Sequence, residues 1–178
     1  MDDIEKGLKK IQDKIGKLED LKTKEKDLTE KVRAADAELL ARMAKTAIPV
    51  VKQIGLSILK KGKQDTKGEL YHPQYYPEKM IILGKTDPAP FRPDNPTVPV
   101  EDQFCVLSEN GEFFEVMYSN DGFLTDSYLN PISPRQAIDL YGYDAMFMLY
   151  QALHDYLKAE DELIKALELV LGYVFVRK

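Results

Sequence analysis

Ile4, Leu8, Ile11, Ile15 and Leu18 recur at steps of four, three, four and three residues, the spacing of a coiled-coil seam. Leu21, Leu28, Val32, Ala35 and Leu39 continue the seam after a second consecutive step of three. Such a stammer overwinds a supercoil locally. Glu25 stands where the seam wants an apolar residue, charges of both signs cover the other faces, and no proline intervenes before Pro49. The pattern predicts one helix over 2–46, about 65 Å long. A domain of this size cannot bury that length, so part must project or pair with another long helix.

A second apolar stripe, Ala145, Leu149, Leu153, Leu157, Ile164, Leu167 and Leu171, marks a long C-terminal helix. Ser133, Pro134 and Gln136 supply its capping box, Gly142 is a candidate kink, and Gly172 a candidate end. "YVFVRK" would then form a short terminal strand. Two long helices invite an antiparallel pair, within one chain or between chains.

Between the helices, "MIIL" (80–83) predicts a short buried strand, and residues 102–129 a three-stranded meander. Its turns fall at Asn110-Gly111 and Asn120-Asp121-Gly122, sequences that accept positive φ. Phe104 and Val106 alternate with Cys105 and Leu107, so both faces of that strand are apolar and both need cover. Pro90, Pro93, Pro96 and Pro99 fall at intervals of three in the linker 86–99, which suits an extended polyproline rod serving as a stiff spacer. "YHPQYYPEK" is expected to be a loop packed under the sheet. The fold expected is α+β: a long N-terminal coiled-coil-like helix (1–46), then an α+β domain (47–178) holding a small antiparallel β-meander and the long C-terminal helix.

The stretch "IPVVKQIGLSILKKGK" (48–63) is the ambiguous one. Wound as a helix from near Thr46, it gathers Ile48, Val50, Val51, Ile54, Ile58 and Leu59 on one face and Lys45, Lys52 and Lys60 on the other. That face could enter the protein interior, lie on an anionic membrane, or leave its lysines against phosphate. The interior is favoured, because burying six aliphatic side chains contributes about 10 kcal/mol and the sheet needs cover.

Charge sharpens the picture. The net charge of −5 is unevenly spread: residues 42–67 carry seven cations against Asp65 alone, and residues 68–132 carry three cations against 11 carboxylates. A single cysteine, Cys105, excludes an internal disulfide framework. No run is long and apolar enough to span a bilayer, and the start lacks the apolar stretch of a signal peptide, so a cytoplasmic protein is expected.

Candidate chemistry is sparse. His72 and His154 are the only histidines. His154, Lys158 and Asp161 share a helical face but match no metal or nucleophile constellation. There is no glycine-rich phosphate loop and no zinc spacing. Neither catalytic residue, cofactor nor metal is expected. The expectation is a homo-oligomeric interaction or scaffold protein. Assembly falls to Ile4, Leu8, Ile11, Ile15, Leu18, Leu28 and Val32, and the acidic β module meets an unidentified protein partner. Tyr71, Tyr75, Tyr76 and Arg92 are candidate partner contacts. The alternative is a nucleic acid or anionic membrane surface bound through Lys45, Lys52, Lys60, Lys61 and Lys63.

Overall fold

A computed structural model describes residues 2–65 and 67–175. The N-terminal pattern forms a single helix, α1 (Asp2–Ile54), 53 residues long and so about 80 Å. It runs past residue 46 without a break: the Thr46 hydroxyl donates back to the Arg42 carbonyl at 3.1 Å instead of capping a new helix, and Pro49 lies inside α1. The expected amphipathic helix over 48–61 is therefore corrected. Its first half ends α1, and its second half is a strand, β1 (Leu56–Gln64). Gly55 makes the elbow between them. A Cβ there would stand 2.5 Å from the Val51 carbonyl oxygen and 2.8 Å from the Lys79 Cβ, so the chain turns where only glycine fits.

β1 pairs with β2 (Leu70–Thr86), a strand of 17 residues. The short strand expected at 80–83 is thus only the buried end of β2, and "YHPQYYPEK" belongs to this strand rather than to a loop. β3 (Asp102–Ser108), β4 (Phe113–Asn120) and β5 (Leu124–Ile132) form the expected meander. Its turns are where Asn110-Gly111 and Asn120-Asp121-Gly122 placed them. Gly111 and Gly122 have φ of 81° and 90°, and Asp121 Oδ1 accepts from the Phe123 and Leu124 amides. β5 returns to β1, Lys61 opposite Asp126 and Lys63 opposite Leu124, closing a five-stranded antiparallel barrel in sequence order.

Closure answers the question of the two apolar faces. One face turns inward, where Ile58, Met80, Val106 and Val116 pack with Phe104, Tyr118 and Leu129. The other faces the helices. Leu40, Ala44, Ala47 and Val51 of α1 meet Ile81, Leu83, Cys105, Leu107 and Phe113, and the two alanines let the helix sit close to the sheet. The sheet covers its own second face, which the helices were expected to cover.

The C-terminal helix, α2 (Pro134–Phe175), begins with the expected reciprocal cap. The Ser133 amide donates to Gln136 Oε1 at 2.8 Å, and the Gln136 amide donates to Ser133 Oγ at 3.2 Å. Gly142, at φ 66° and ψ −164°, breaks it into two rods. Ala137, Ile138, Tyr141, Ala145 and Leu149 complete the layer on the sheet. Helix continues through Gly172 to Phe175, so the expected terminal strand is absent from 173–175, and its last three residues lie outside the described residues.

The two helices run parallel, not antiparallel. Contacts advance in the same direction along both: Glu30 with Arg135, Arg33 with Asp139, Asp36 with Tyr143. α1 enters β1 through its C-terminus, and α2 leaves β5 through its N-terminus. Residues 2–29 of α1 consequently extend beyond the start of α2, and the α2 segment from about Leu157 onward extends off the other side.

The proline-rich linker 86–99 is not an extended rod. Phe91 bridges Pro99, the Arg92 amide donates to the Val98 carbonyl, and the Val98 amide to the Asn95 carbonyl. The prolines shape a folded loop held against the barrel.

Candidate functional site

The residues singled out in the sequence lie on three surfaces and around Arg92, and a further buried cluster forms around Glu115. On α1, Ile4, Leu8, Ile11, Ile15, Leu18, Leu21, Leu28 and Val32 are each at least half exposed. All eight lie on the overhanging part of α1 or at its junction with α2. Where α2 begins, the seam widens into a groove of about 710 Å³ lined by Leu21, Leu28, Val32 and Tyr143. A second groove of about 690 Å³ follows between the helices, walled by Leu39, Met43, Met146, Phe147, Tyr150 and Leu153, and Tyr143 borders both. An apolar channel therefore runs along the solvent side of the helix pair. Such a stripe stands largely open among the described residues, which is the condition for docking.

The basic residues do not form one face. Lys45 and Lys52 are on α1; Lys60, Lys61 and Lys63 are on β1, and all are exposed. The β1–β2 hairpin places Lys63 opposite Tyr71 and Lys61 opposite Gln74, while Lys60 Nζ lies 5.9 Å from the Tyr76 ring centroid. Tyr71 and Tyr75 are exposed and Tyr76 is half buried, its hydroxyl donating to the Ser127 carbonyl at 3.0 Å. Between the aromatics, His72 holds a positive φ of 51°. Dissolving the continuous helix removes the geometry on which a membrane-lying amphipathic segment depends. What the fold assembles instead is a short cationic, aromatic ribbon.

Arg92 lies apart from these tyrosines and is turned inward. Only 8% exposed, it bonds Asp94 through Nε at 2.9 Å and Nη2 at 2.6 Å. It also reaches Asp126 of β5 at 2.9 Å and covers the Tyr128 ring at 5.7 Å. Donating to Asp94 holds the guanidinium proton above its ordinary range, and the same bonds hold the Asp94 carboxyl below its own. Two of the carboxylates that make the β module acidic are thereby neutralised from inside.

A third carboxylate, unlike Asp94 and Asp126, is buried. Glu115 is 4% exposed and accepts from Gln103 Nε2 at 2.7 Å, Tyr141 at 3.0 Å and Asn130 Nδ2 at 3.0 Å. Every donor aimed at it is satisfied, which is how a buried polar cluster is tolerated. Burial, helped by the neighbouring Glu115, pushes the Cys105 thiol up to about 12. Inside the barrel, Ile58, Ile82, Phe104, Val106, Val116 and Tyr118 line an apolar cavity of about 250 Å³, below the usual size of a small-molecule site.

His154 stacks on Tyr150 and bonds Asp155 at 3.2 Å on the surface of α2, and Asp161 pairs with Lys165 one turn on. Among the described residues, no group of three or more His, Cys, Asp or Glu side chains could hold a metal ion, and no helix is long and apolar enough to cross a membrane.

The Arg92 latch and the Glu115 network escaped sequence reasoning. The nearest signal was the local Arg92-x-Asp94 spacing; the other partners lie 12 to 36 residues apart and meet only through strand and helix packing. No protein family, curated protein or solved structure matches this chain.

Proposed function

We propose that this protein is a non-enzymatic, homo-oligomeric interaction or scaffold protein, assembled through the seam on α1 and presenting its β-barrel to a protein partner. Support comes from one observation: eight apolar side chains repeat along the overhang of α1 and its junction with α2, each at least half exposed. Each is already partly shielded by its own helix, so further burial contributes about 1 kcal/mol apiece. Sixteen in a dimer contribute on the order of 15 kcal/mol, enough to offset the roughly 4–15 kcal/mol lost in association. The barrel, fixed to the base of the rod, would carry the contact surface; exposed Tyr71 and Tyr75 are its aromatic anchors.

Light scattering across a wide concentration range tests self-association. A mass of two or more chains is expected, falling to one chain for Ile15→Asp/Leu18→Asp while the barrel keeps its melting temperature. A single-chain mass at every concentration removes the reading.

The β1–β2 ribbon favours a second reading, anion or nucleic-acid contact, because Lys61 and Lys63 stand exposed beside Tyr71. Binding of a single-stranded oligonucleotide that weakens steeply with salt and is lost in Lys61→Glu/Lys63→Glu would support it. Absence of binding at low salt would dismiss it.

A further inference from the structure

We propose that the occupant of the α1 seam is a second copy of this chain lying antiparallel, with Leu18 of each copy at the twofold axis; this rests on the self-association reading above and fixes its geometry. The seam positions are 4, 8, 11, 15, 18, 21, 25, 28 and 32, and the steps between them are 4, 3, 4, 3, 3, 4, 3, 4. That series is the same read in either direction. A reversed copy centred on Leu18 therefore sets every seam position against another: Ile4 on Val32, Leu8 on Leu28, Ile11 on Glu25, Ile15 on Leu21, Leu18 on itself. A three-residue stammer anywhere else would throw half of a reversed partner out of register. Here it falls at the centre, where symmetry cancels it.

Charge selects the same orientation. Glu25 is the one ionised side chain in this part of the seam. A parallel, in-register dimer stacks Glu25 on Glu25, two like charges in the interface. The antiparallel arrangement sets it opposite Ile11, flanked within one turn by Lys10 and Lys14 of the other copy. The area suits a weak, reversible dimer: from residue 4 to residue 32 the rod is about 42 Å long, and a strip about 10 Å wide on each of two helices comes to about 840 Å², in the range of transient interfaces. Space is open as well. Residues 2–29 lie beyond the start of α2, and the groove at Leu28, Val32 and Tyr143 stands where Ile4 and Leu8 of the other copy arrive. The product is a rod with one barrel toward each end, facing apart.

Disulfide trapping on the full chain tests this, with Cys105 buried and silent. Oxidation of Leu8→Cys/Leu28→Cys is expected to give covalent dimers at least tenfold faster than either single variant. The two positions within one copy are about 30 Å apart along the helix, so no internal bridge competes. If Leu8→Cys alone crosslinks as fast as the double variant, the pairing is parallel; the antiparallel proposal falls while self-association stands. If the unmodified protein is a monomer at all concentrations, both fall. Pulsed electron resonance between labels on Asp3→Cys, an exposed site off the seam, gives an independent reading. About 45 Å is expected from the antiparallel rod, and under about 20 Å would overturn it.

Discussion

The Tyr141 hydroxyl donates to Glu115 Oε1 at 3.0 Å, tying the first turns of α2 to the outer face of β4 at a point that solvent does not reach. Glu115 also collects Gln103 from β3 and Asn130 from β5, so one carboxylate joins three strands and a helix. Glu115→Gln replaces an acceptor oxygen with an amide NH2 that faces a donor, and should lower unfolding stability by about 1–3 kcal/mol in a urea titration. Tyr141→Phe, which loses a single bond to a charged group, should cost about 1.5–3 kcal/mol.

The same pair predicts a pH dependence. Burial raises the Tyr141 hydroxyl above its ordinary value of 10, so the folded state holds that proton more tightly than the unfolded state. The contribution is present in full below about pH 10 and is lost as pH climbs through the raised folded value. Stability measured from pH 8 upward should decline above pH 10, and less steeply in Tyr141→Phe.

Arg92 should act as the latch of the proline loop. Arg92→Ala removes the bonds to Asp94 and Asp126 and should cost about 2 kcal/mol, with faster hydrogen exchange at the Arg92 and Val98 amides. Asp94 supplies the acid side of this behaviour. Its carboxyl is held below 3.8 by Arg92, so its stabilisation is present above about pH 4 and is lost as pH falls through the lowered value. Asp94→Asn should flatten the stability profile in that window.

Gly55→Ala tests the elbow. The new methyl would meet the backbone oxygen of Val51 and the Cβ of Lys79, neither of which can swing aside as a flexible side-chain end does. A loss of about 2–4 kcal/mol in thermal unfolding is expected. Gly16→Ala, on the open part of α1 where a Cβ meets nothing within 4 Å, should stabilise the helix by up to about 1 kcal/mol.

Cys105 should be inert. With its thiol pushed up to about 12 by burial, almost no thiolate exists near neutrality. Reaction with a disulfide reagent at pH 8 should be undetectable in the native protein and rapid once denaturant opens the barrel. Fast native labelling would contradict the packing described.

Local patterning carried far into this structure wherever one element explains itself. The heptad steps of Ile4 to Leu39 wrote α1, the Ser133–Gln136 box wrote the start of α2, and the glycines at 111 and 122 wrote two hairpin turns, because each depends on residues within a few positions of one another. The α+β class followed from the same signals. The candidate seam was legible for the same reason, since its residues are neighbours along a single helix.

The remainder was settled by contacts between distant positions. Residues 56–61 satisfy helical and strand spacing over so short a window, and only pairing with β2 and β5, with Gly55 at the elbow, made them a strand. Leu70 to Pro77 became part of β2 through partners on β1, not through alternation of their own. Arg92 was drawn off the surface by Asp126, which lies 34 residues away. The parallel course of the helices shows only in contacts more than 100 residues apart, such as Glu30 with Arg135, which no single segment contains. A sequence records what each stretch would bury; the closed barrel decided what was there to bury it against.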